Sequence, residues 1–301
     1  MKNIINYFYG INIMDYCEND DKYIFYMNNM KYIFLPFDRD KNEIRNVYNI
    51  YQELKKRNIL TNEIVPNKFD NLITEYNGQS YVLIKKYEFR NKIDINDIIY
   101  IQNNTMNIFK DMSLIRTNYI NLWERKIDYY ENNSELRKHN LINKSMDYYI
   151  GLGENAIIYL VNNNVRINNI VLSHRRISED KGSFEFYNPV NYILDSRARD
   201  LADYIKILFF YDDVQEDVIL SILKIINFDR EECILFIARM LYPTYYFDVI
   251  DKIMVSNIDD SILNNIIKKT NSYIKLIAII FNYFNNYLNM NVPIIEWIIK
   301  T

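Results

Sequence analysis

Few residues of this chain have the types and spacing that enzymes use for acid–base or metal chemistry. The chain has two histidines, and one of them, His174, lies in the segment VLSHRRIS at residues 171–178. Histidine titrates near neutral pH and serves as a general base, whereas Arg175 and Arg176 stay protonated and cannot accept a proton. The positions directly after the histidine therefore lack a carboxylate. Taken alone, such a histidine is more often a packed structural residue than a base.

Composition excludes several other kinds of site. The chain has five glycines, which are Gly10, Gly78, Gly151, Gly153 and Gly182. Neither a Walker A loop nor a dinucleotide-binding fingerprint can be assembled from these positions. Cys17 and Cys233 show no metal-ligand spacing and cannot form a disulfide framework, which favours a reducing compartment.

Charge and hydropathy indicate a soluble, cytoplasmic protein without nucleic-acid or membrane partners. The 36 basic and 39 acidic residues give a formal net charge of −3, so no basic excess points to nucleic acid or anionic lipid. The most apolar run, at residues 276–281, is far too short to span a bilayer. The first twelve residues, MKNIINYFYGIN, contain asparagines and no small-residue cleavage site, unlike a signal peptide.

Two hairpins and one helix are predicted in the first ninety residues. Asn28-Asn29 and Asn77-Gly78 are pairs that favour tight two-residue turns between strands. Asp40 and Glu43 form a helix start signal, and apolar residues follow at helical spacing as far as Leu54. The predicted strands cover residues 22–27, 30–35, 71–76 and 81–87. This part of the chain is therefore predicted to form a small antiparallel sheet with one helix.

The rest of the chain is predicted to be mostly helical. Helices are predicted at residues 94–115, at 119–132, at 145–160 with Ser145 as its cap, and from about 200 to the C-terminus with Asp200 as a cap. Gly151 and Gly153 are attributed to close helix packing. A short irregular region carries apolar segments at 169–172 and 183–187 around a polar turn, and Arg197 is expected in a solvated ion pair.

The change from strand to helix periodicity near residues 88–92 predicts a domain boundary. The predicted fold class is α+β, with an N-terminal β-rich lobe at 1–91 and a larger C-terminal helical lobe at 92–301. No period repeats along the chain, so a solenoid is not expected.

Three segments resemble, in order, the motifs of aminoglycoside phosphotransferases and protein kinases. They are Ser173-His174-Arg175-Arg176, Phe186-Tyr187-Asn188-Pro189 and Arg199-Asp200-Leu201-Ala202. The segments LWERKI at 122–127, YIGLGENA at 149–156 and PIIEW at 293–297 make the chain most similar to the spore-coat-associated YutH and CotS group. The resemblance spans most of the chain and implies a two-lobed, protein-kinase-like fold.

The resemblance also implies that the active site is degenerate. The positions concerned are Pro36, His174, Arg175, Arg176, Lys181 and Asn188. Arg176 stands where the family has its catalytic aspartate, and Asn188 stands where it has a metal-binding aspartate. Lys181 lies near the position of the catalytic-loop asparagine, and Pro36 near that of the phosphate-gripping lysine. His174 is expected to pack beneath the loop, and Asp200 to be structural.

Three functions are compatible with this pattern. The first is a pseudokinase that uses no cofactor and binds other proteins, including spore coat components, in the cytoplasm or the spore coat. The alternative is an active small-molecule phosphotransferase, similar to aminoglycoside or choline kinases, which would need ATP and Mg²⁺. The third is a cleft that binds an anion through Arg175 and Arg176. Of the internal partners for Arg176, we expect burial against a nearby aspartate, namely Asp195, Asp200 or Asp203.

Overall fold

The structure of the protein, a computed structural model, describes residues 1–19, 21–109 and 112–300. The chain divides into two compact units. The first comprises Met1–Ile115 and Val171–Asp195, and the second comprises Arg116–Ile170 and Ser196–Thr301.

These units differ in extent from the lobes predicted at 1–91 and 92–301, because a later hairpin packs with the N-terminal part. The backbone N–H of Leu172 donates to the Thr105 hydroxyl at 3.1 Å, and Ile115 forms an isolated β-bridge with Leu194. Residues 92–115 and 171–195 thus belong to the unit that holds the main sheet.

A six-stranded antiparallel sheet forms the centre of the first unit. Its strands are β1 (Cys17–Asn19), β2 (Lys22–Met27), β3 (Met30–Pro36), β4 (Glu63–Val65), β5 (Thr74–Tyr76) and β6 (Gln79–Lys86). The order is β1-β2-β3-β6-β4, and β5 also pairs with β6. The second hairpin comprises β7 (Val171–His174) and β8 (Tyr192–Asp195), paired antiparallel.

Both predicted hairpin turns are confirmed. Asn28 and Asn29 have φ values of 50° and 59°, and Asn77 and Gly78 have φ values of 48° and 77°. Asparagine and glycine tolerate this left-handed region better than other residues do. The turns thereby fix the register, with Met27 opposite Met30 and Tyr76 opposite Gln79.

Four helices belong to the first unit. They are α1 (Lys2–Tyr9), α2 (Ile44–Lys56), α3 (Ile95–Thr105) and α6 (Ser183–Phe186), with short 3₁₀ segments at Lys41–Glu43, Met112–Leu114 and Pro189–Asn191. Ile5 of α1 joins a core cluster that includes Phe25, Phe34, Tyr81 and Leu83 of the sheet. Alternation along β3 puts Ile33 and Leu35 on the other face.

The second unit is helical and has a core of stacked aromatic side chains. Its helices are α4 (Tyr119–Asn132), α5 (Asn140–Asn163), α7 (Ala198–Phe210), α8 (Glu216–Lys224), α9 (Arg230–Leu241), α10 (Thr244–Ser256), α11 (Asn264–Asn282) and α12 (Glu296–Ile299), with 3₁₀ segments at Leu136–Lys138 and Asp260–Leu263 and a π-helical turn at Tyr283–Tyr287. The ring centroids of Tyr149 and Tyr246 lie 3.7 Å apart, and those of Tyr130 and Phe247 lie 4.3 Å apart. Tyrosine therefore serves here as a core residue.

The stretch Arg230–Ser256 is long and apolar enough to cross a membrane, but 89% of its apolar window is buried inside the protein. Tyr242 and Pro243 separate it into α9 and α10. The core helices of a folded protein meet the same criterion, so this stretch is weak support for a membrane span.

Several predicted helix boundaries are wrong. The helix predicted at 94–115 begins with a capping box at Asp94 but ends at Thr105, and residues 110 and 111 of that prediction lie outside the described residues. α5 begins at Asn140, so Ser145 lies inside the helix, where its hydroxyl donates to the Leu141 carbonyl at 2.7 Å. The segment at 183–187 contains a single helical turn, α6.

The predicted start of α7 is also wrong. Asp200 lies in the first turn, 1% exposed, whereas the residue before the helix is Arg197. The side chain of Arg197 is buried rather than solvated, 3.4 Å from Glu232. The Glu232 carboxylate completes the capping box of α9. The buried guanidinium of Arg197 beside it neutralises its negative charge.

The two glycines of α5 predict opposite effects of an added methyl group. A Cβ at Gly151 meets nothing within 4 Å, so the close packing predicted there is wrong. At Gly153 the Cβ would lie 2.6 Å from Cδ1 of the buried Ile127.

Gly151→Ala should raise the free energy of unfolding by up to about 1 kcal/mol, because alanine favours the helix. Gly153→Ala should be less stable than Gly151→Ala by at least about 1 kcal/mol. Denaturant unfolding measures both, and equal stabilities would contradict the packing described for Gly153.

Candidate functional site

The β7–β8 hairpin carries the histidine and holds it as a packed side chain. His174 pairs with Tyr192 in the register of the hairpin and is fully buried. Its ring stacks on Phe186 at a centroid distance of 4.1 Å and meets Tyr192 edge-on at 5.5 Å. These contacts give His174 a structural position beneath the loop that follows it.

Arg175 forms an ion pair with the end of β3. Its backbone N–H donates to the Asn191 carbonyl at 2.8 Å, and its guanidinium lies 2.6 Å from the Asp38 carboxylate. An internal carboxylate for this loop was expected among Asp195, Asp200 and Asp203. The partner of Arg175 comes instead from a part of the chain 137 residues away.

Arg176 does not occupy the buried position expected for it. Its side chain is exposed, because it follows the buried strand β7 at the point where the chain turns to the surface. The expectation that Arg176 is buried against a neighbouring aspartate is therefore wrong.

The Asp38 carboxyl titrates below its ordinary range. Partial burial acts to raise its pKa, but the hydrogen bond and the positive charge of Arg175 outweigh this effect and lower the pKa below the ordinary value of 3.8. Asp38 is thus ionised throughout the physiological range, and it neutralises Arg175.

Arg39, the next residue, joins the start of α2 to the second hairpin. Its side chain is only 4% exposed. Nε and Nη2 contact the Glu43 carboxylate at 2.8 and 2.7 Å. Nη1 donates to the carbonyls of Val190 and Tyr192 at 2.9 and 2.7 Å. We call this set of contacts the Arg39 clasp. It places a permanent positive charge beside the segment that follows Asn188.

Asn188 uses its side chain to shape its own turn. The residue is 2% exposed, and its Oδ1 accepts the backbone N–H of Val190 at 3.2 Å as the cap of the Pro189–Asn191 turn. The amide oxygen at the position predicted for a metal carboxylate is therefore directed at the chain itself.

Lys181 and Pro36 also have structural positions. Lys181 adopts a positive φ of 55°, and its carbonyl accepts the backbone N–H of Ile93 at 2.9 Å. Pro36 is the last residue of β3 and lies opposite Tyr81. The strand carries no lysine beyond Lys31, so it presents no ammonium group near its end.

These residues do not fit Mg²⁺. Within the described residues, no group of three or more His, Cys, Asp or Glu side chains could hold a metal ion. Magnesium requires carboxylate and phosphate oxygens. Asn188 is neutral and directed at Val190, while the Arg39 guanidinium already occupies two neighbouring carbonyls.

The structure brings together two predicted positions, Arg175 and Asn188, through one hairpin, and adds three residues that the sequence did not reveal as site residues. These are Asp38, Arg39 and Glu43. The i,i+4 spacing of Arg39 and Glu43 was a visible signal, but such a pair is usually a solvated helix pair. Asp200, predicted to be structural, lies in the second unit in the first turn of α7.

Comparison with known proteins shows which family the chain is similar to. The family described as "Spore coat putative kinase YutH" matches residues 2–278. A Bacillus subtilis (strain 168) protein described as "Endospore coat-associated protein YutH" is 25% identical over 159 residues, which are 45% of this chain and 46% of that protein. The matched region therefore spans about half the length of this relative.

Solved structures of phosphotransferases share the fold. The aminoglycoside phosphotransferase of Alicyclobacillus acidocaldarius covers 96% of each chain, with a TM-score of 0.64 and 8% identity. Spectinomycin phosphotransferase APH(9)-Ia, in its AMP-bound complex, covers 93% of this chain and 96% of its own, with a TM-score of 0.56 and 11% identity. Choline kinase LicA of Streptococcus pneumoniae covers 92% and 97%, with a TM-score of 0.52 and 12% identity. The predicted α+β, two-lobed, kinase-like fold class is confirmed.

The Arg39 clasp predicts a large loss of stability when it is broken. Arg39→Ala should lower the free energy of unfolding by about 3–5 kcal/mol, because the little-exposed Glu43 carboxylate would lose its partner. Arg57 offers a matched control, since its i,i+4 pair with Glu53 has side chains 45% and 32% exposed. Arg57→Ala and Arg176→Ala should each cost under about 1 kcal/mol. Denaturant unfolding of the three variants tests this order, and a loss at Arg39 no larger than at Arg57 would contradict it.

We expect the Asp38–Arg175 ion pair to contribute to the free energy of unfolding at neutral pH and to lose this contribution in acid. A carboxyl with a lowered pKa in the folded state adds stability above its ordinary pKa of 3.8, and this stability is lost as pH falls through the lower folded value. Asp38→Asn should cost under about 1 kcal/mol at neutral pH, since both side chains are partly exposed, and nothing at a pH well below 3.8. A double-mutant cycle with Arg175→Gln measures the coupling. A coupling energy that persists in acid would refute the pairing.

Proposed function

The chain belongs to the family of spore coat YutH proteins, and we propose that it is a catalytically inactive, kinase-like protein that binds other proteins in the spore coat. One observation carries this proposal: the polar groups around the predicted active-site position form hydrogen bonds within the protein itself. The Arg39 clasp and the cap made by Asn188 occupy the polar groups around the position where the family holds its metal carboxylate.

The missing base supports the same conclusion. Phosphoryl transfer in this fold uses one carboxylate to accept the substrate proton and another to hold Mg²⁺. Arg176 cannot accept a proton, and Asn188 is a weak ligand for a hard cation. A positioned general base typically contributes about 10²–10⁴-fold to the rate, so the loss of both groups removes the reaction for practical purposes.

Internal neutralisation argues against anion binding at this loop. Arg175 already has the Asp38 carboxylate at 2.6 Å, so an incoming anion must displace it. Arg176 lies on an exposed loop, where a guanidinium binds an anion weakly.

The family supports the proposed location, and the proposed partners rest on that location. The Bacillus subtilis relative is described as endospore coat-associated, and we place this protein in the spore coat after its synthesis in the cytoplasm. The partners we propose are other proteins of the coat, and the net charge of −3 gives no support for nucleic acid as a partner.

Purified protein should show no phosphotransfer and weak or absent binding of Mg·ATP. Thermal shift and calorimetric titration with millimolar Mg·ATP should give no saturable signal, and ATP turnover should stay at the buffer background. The double variant Arg176→Asp with Asn188→Asp should remain inactive, because Pro36 leaves the end of β3 without a lysine and the Arg39 guanidinium stays in place.

The opposite outcome has a clear signature. Turnover of ATP that is lost on Asn188→Ala, and kept in the exposed-surface control Arg57→Ala, would show an active phosphotransferase and overturn the proposal. A fluorescent fusion that stays diffuse in a sporulating host, rather than gathering around the forming spore, would contradict the coat location.

A further inference from the structure

A cavity of about 640 Å³ lies in the first unit, on the segment that links β6 to α3. We call it the linker cavity. Its walls come from the last turns of α2, the residues after that helix, the linker at 87–93 and the start of α3. Pockets of this volume accommodate small organic ligands. Pro36, Arg175, Arg176 and Asn188 are not among its lining residues, so it is distinct from the degenerate hairpin site.

Aromatic rings form the walls of the linker cavity. Tyr51, Tyr87, Phe89 and Tyr187 all line it. The rings of Phe89 and Tyr187 are 4.5 Å apart at a tilt of 40°. Such surfaces favour flat aromatic groups, which pack against ring faces and edges.

The hydroxyl groups of two of these tyrosines are already satisfied inside the protein. Tyr187 donates to Asp97 at 2.9 Å, and Tyr87 donates to Glu63 at 2.6 Å. The bonds fix both rings and leave their faces, rather than their hydroxyls, for a ligand. The wall is therefore pre-formed, which lowers the entropic cost of binding.

The charges at the linker cavity are unevenly paired. Arg90 is held by Asp94 and Asp97, at 2.8 and 2.5 Å. Lys55 reaches its nearest carboxylate, Glu63, only at 4.0 Å, and its side chain is 58% exposed. A hydrogen bond with Ser178 and, less strongly, the charge of Lys92 lower the pKa of the Asp180 carboxyl, so Lys92 has a carboxylate nearby. Of the five charged residues that line the cavity, three are basic (Lys55, Arg90 and Lys92) and two are acidic (Glu88 and Asp97), which favours an anionic group on the ligand.

We propose that the linker cavity binds a flat aromatic acid, with its rings between the tyrosine and phenylalanine side chains and its acidic group at Lys55 and Lys92. An apolar ligand would make no charged contact with the two ammonium groups, and a non-aromatic acid would leave the ring surfaces uncovered. The site does not depend on phosphotransfer chemistry and stands apart from the proposed loss of catalysis.

Anilinonaphthalene sulfonate is a suitable probe, because it is a flat aromatic anion whose fluorescence rises in an apolar site. The full-length protein should bind one equivalent tightly, and the uncharged parent amine, which lacks the sulfonate, should bind more weakly. Lys55→Glu and Lys92→Glu should each weaken binding by roughly tenfold. Lys56→Glu is the matched control, since Lys56 is the neighbouring residue on α2, is 74% exposed and does not line the cavity; it should change the affinity by less than about twofold.

Obstruction of the cavity mouth gives a second readout that does not involve charge. Leu60 lines the cavity with a side chain 51% exposed, so Leu60→Trp should fill space without disturbing the core and should abolish the saturable signal. Unchanged melting temperatures show that the variants are folded. Equal affinities of Lys55→Glu and Lys56→Glu, or full binding by Leu60→Trp, would overturn the proposal. Displacement of the probe by Mg·ATP would contradict the proposed loss of nucleotide binding and leave the aromatic-acid site in place.

Discussion

A buried guanidinium cannot remain without partners, and this constraint organises the first unit. The Arg39 side chain is 4% exposed, so its positive charge needs acceptors and a counter-charge within the protein. Glu43 supplies a carboxylate from the start of α2, and Val190 and Tyr192 supply carbonyls from the second hairpin. Two segments that lie about 150 residues apart in sequence, 39–43 and 190–192, therefore meet at one side chain. The hairpin cannot shift relative to α2 without breaking charged hydrogen bonds, which are stronger than neutral ones.

The neighbouring contacts reinforce the same junction. Asp38 pairs with Arg175 on one side of the clasp. The Thr61 hydroxyl lies 2.9 Å from the hydroxyl of the buried Tyr192, and the backbone N–H of Asn62 donates to the Tyr187 carbonyl at 2.8 Å. The residues after β3 and those after α2 thus both hold the hairpin. Its buried side chains, such as His174 and Tyr192, make packing contacts and internal hydrogen bonds.

Local sequence predicted the parts of the fold that depend on local chemistry. Asn28-Asn29 and Asn77-Gly78 set two hairpins because only a few residues adopt a positive φ at low cost. The site was less predictable. The carbonyl partners of Arg39 lie 151 and 153 residues away in sequence, and no periodicity reports such contacts. Arg176 shows a different limit of sequence analysis. Its positive charge was visible in the sequence, but its exposure at the surface was not.

A neutral residue at the position predicted for a metal carboxylate changes what the hairpin needs in order to be stable. A buried aspartate there would carry a charge that only a cation could compensate, so its folded state would depend on metal or nucleotide binding. Asn188 carries no charge, is 2% exposed and satisfies its amide oxygen with the N–H of Val190. The Arg39 guanidinium provides a fixed positive charge to the neighbouring carbonyls. The first unit therefore holds its hairpin with its own atoms.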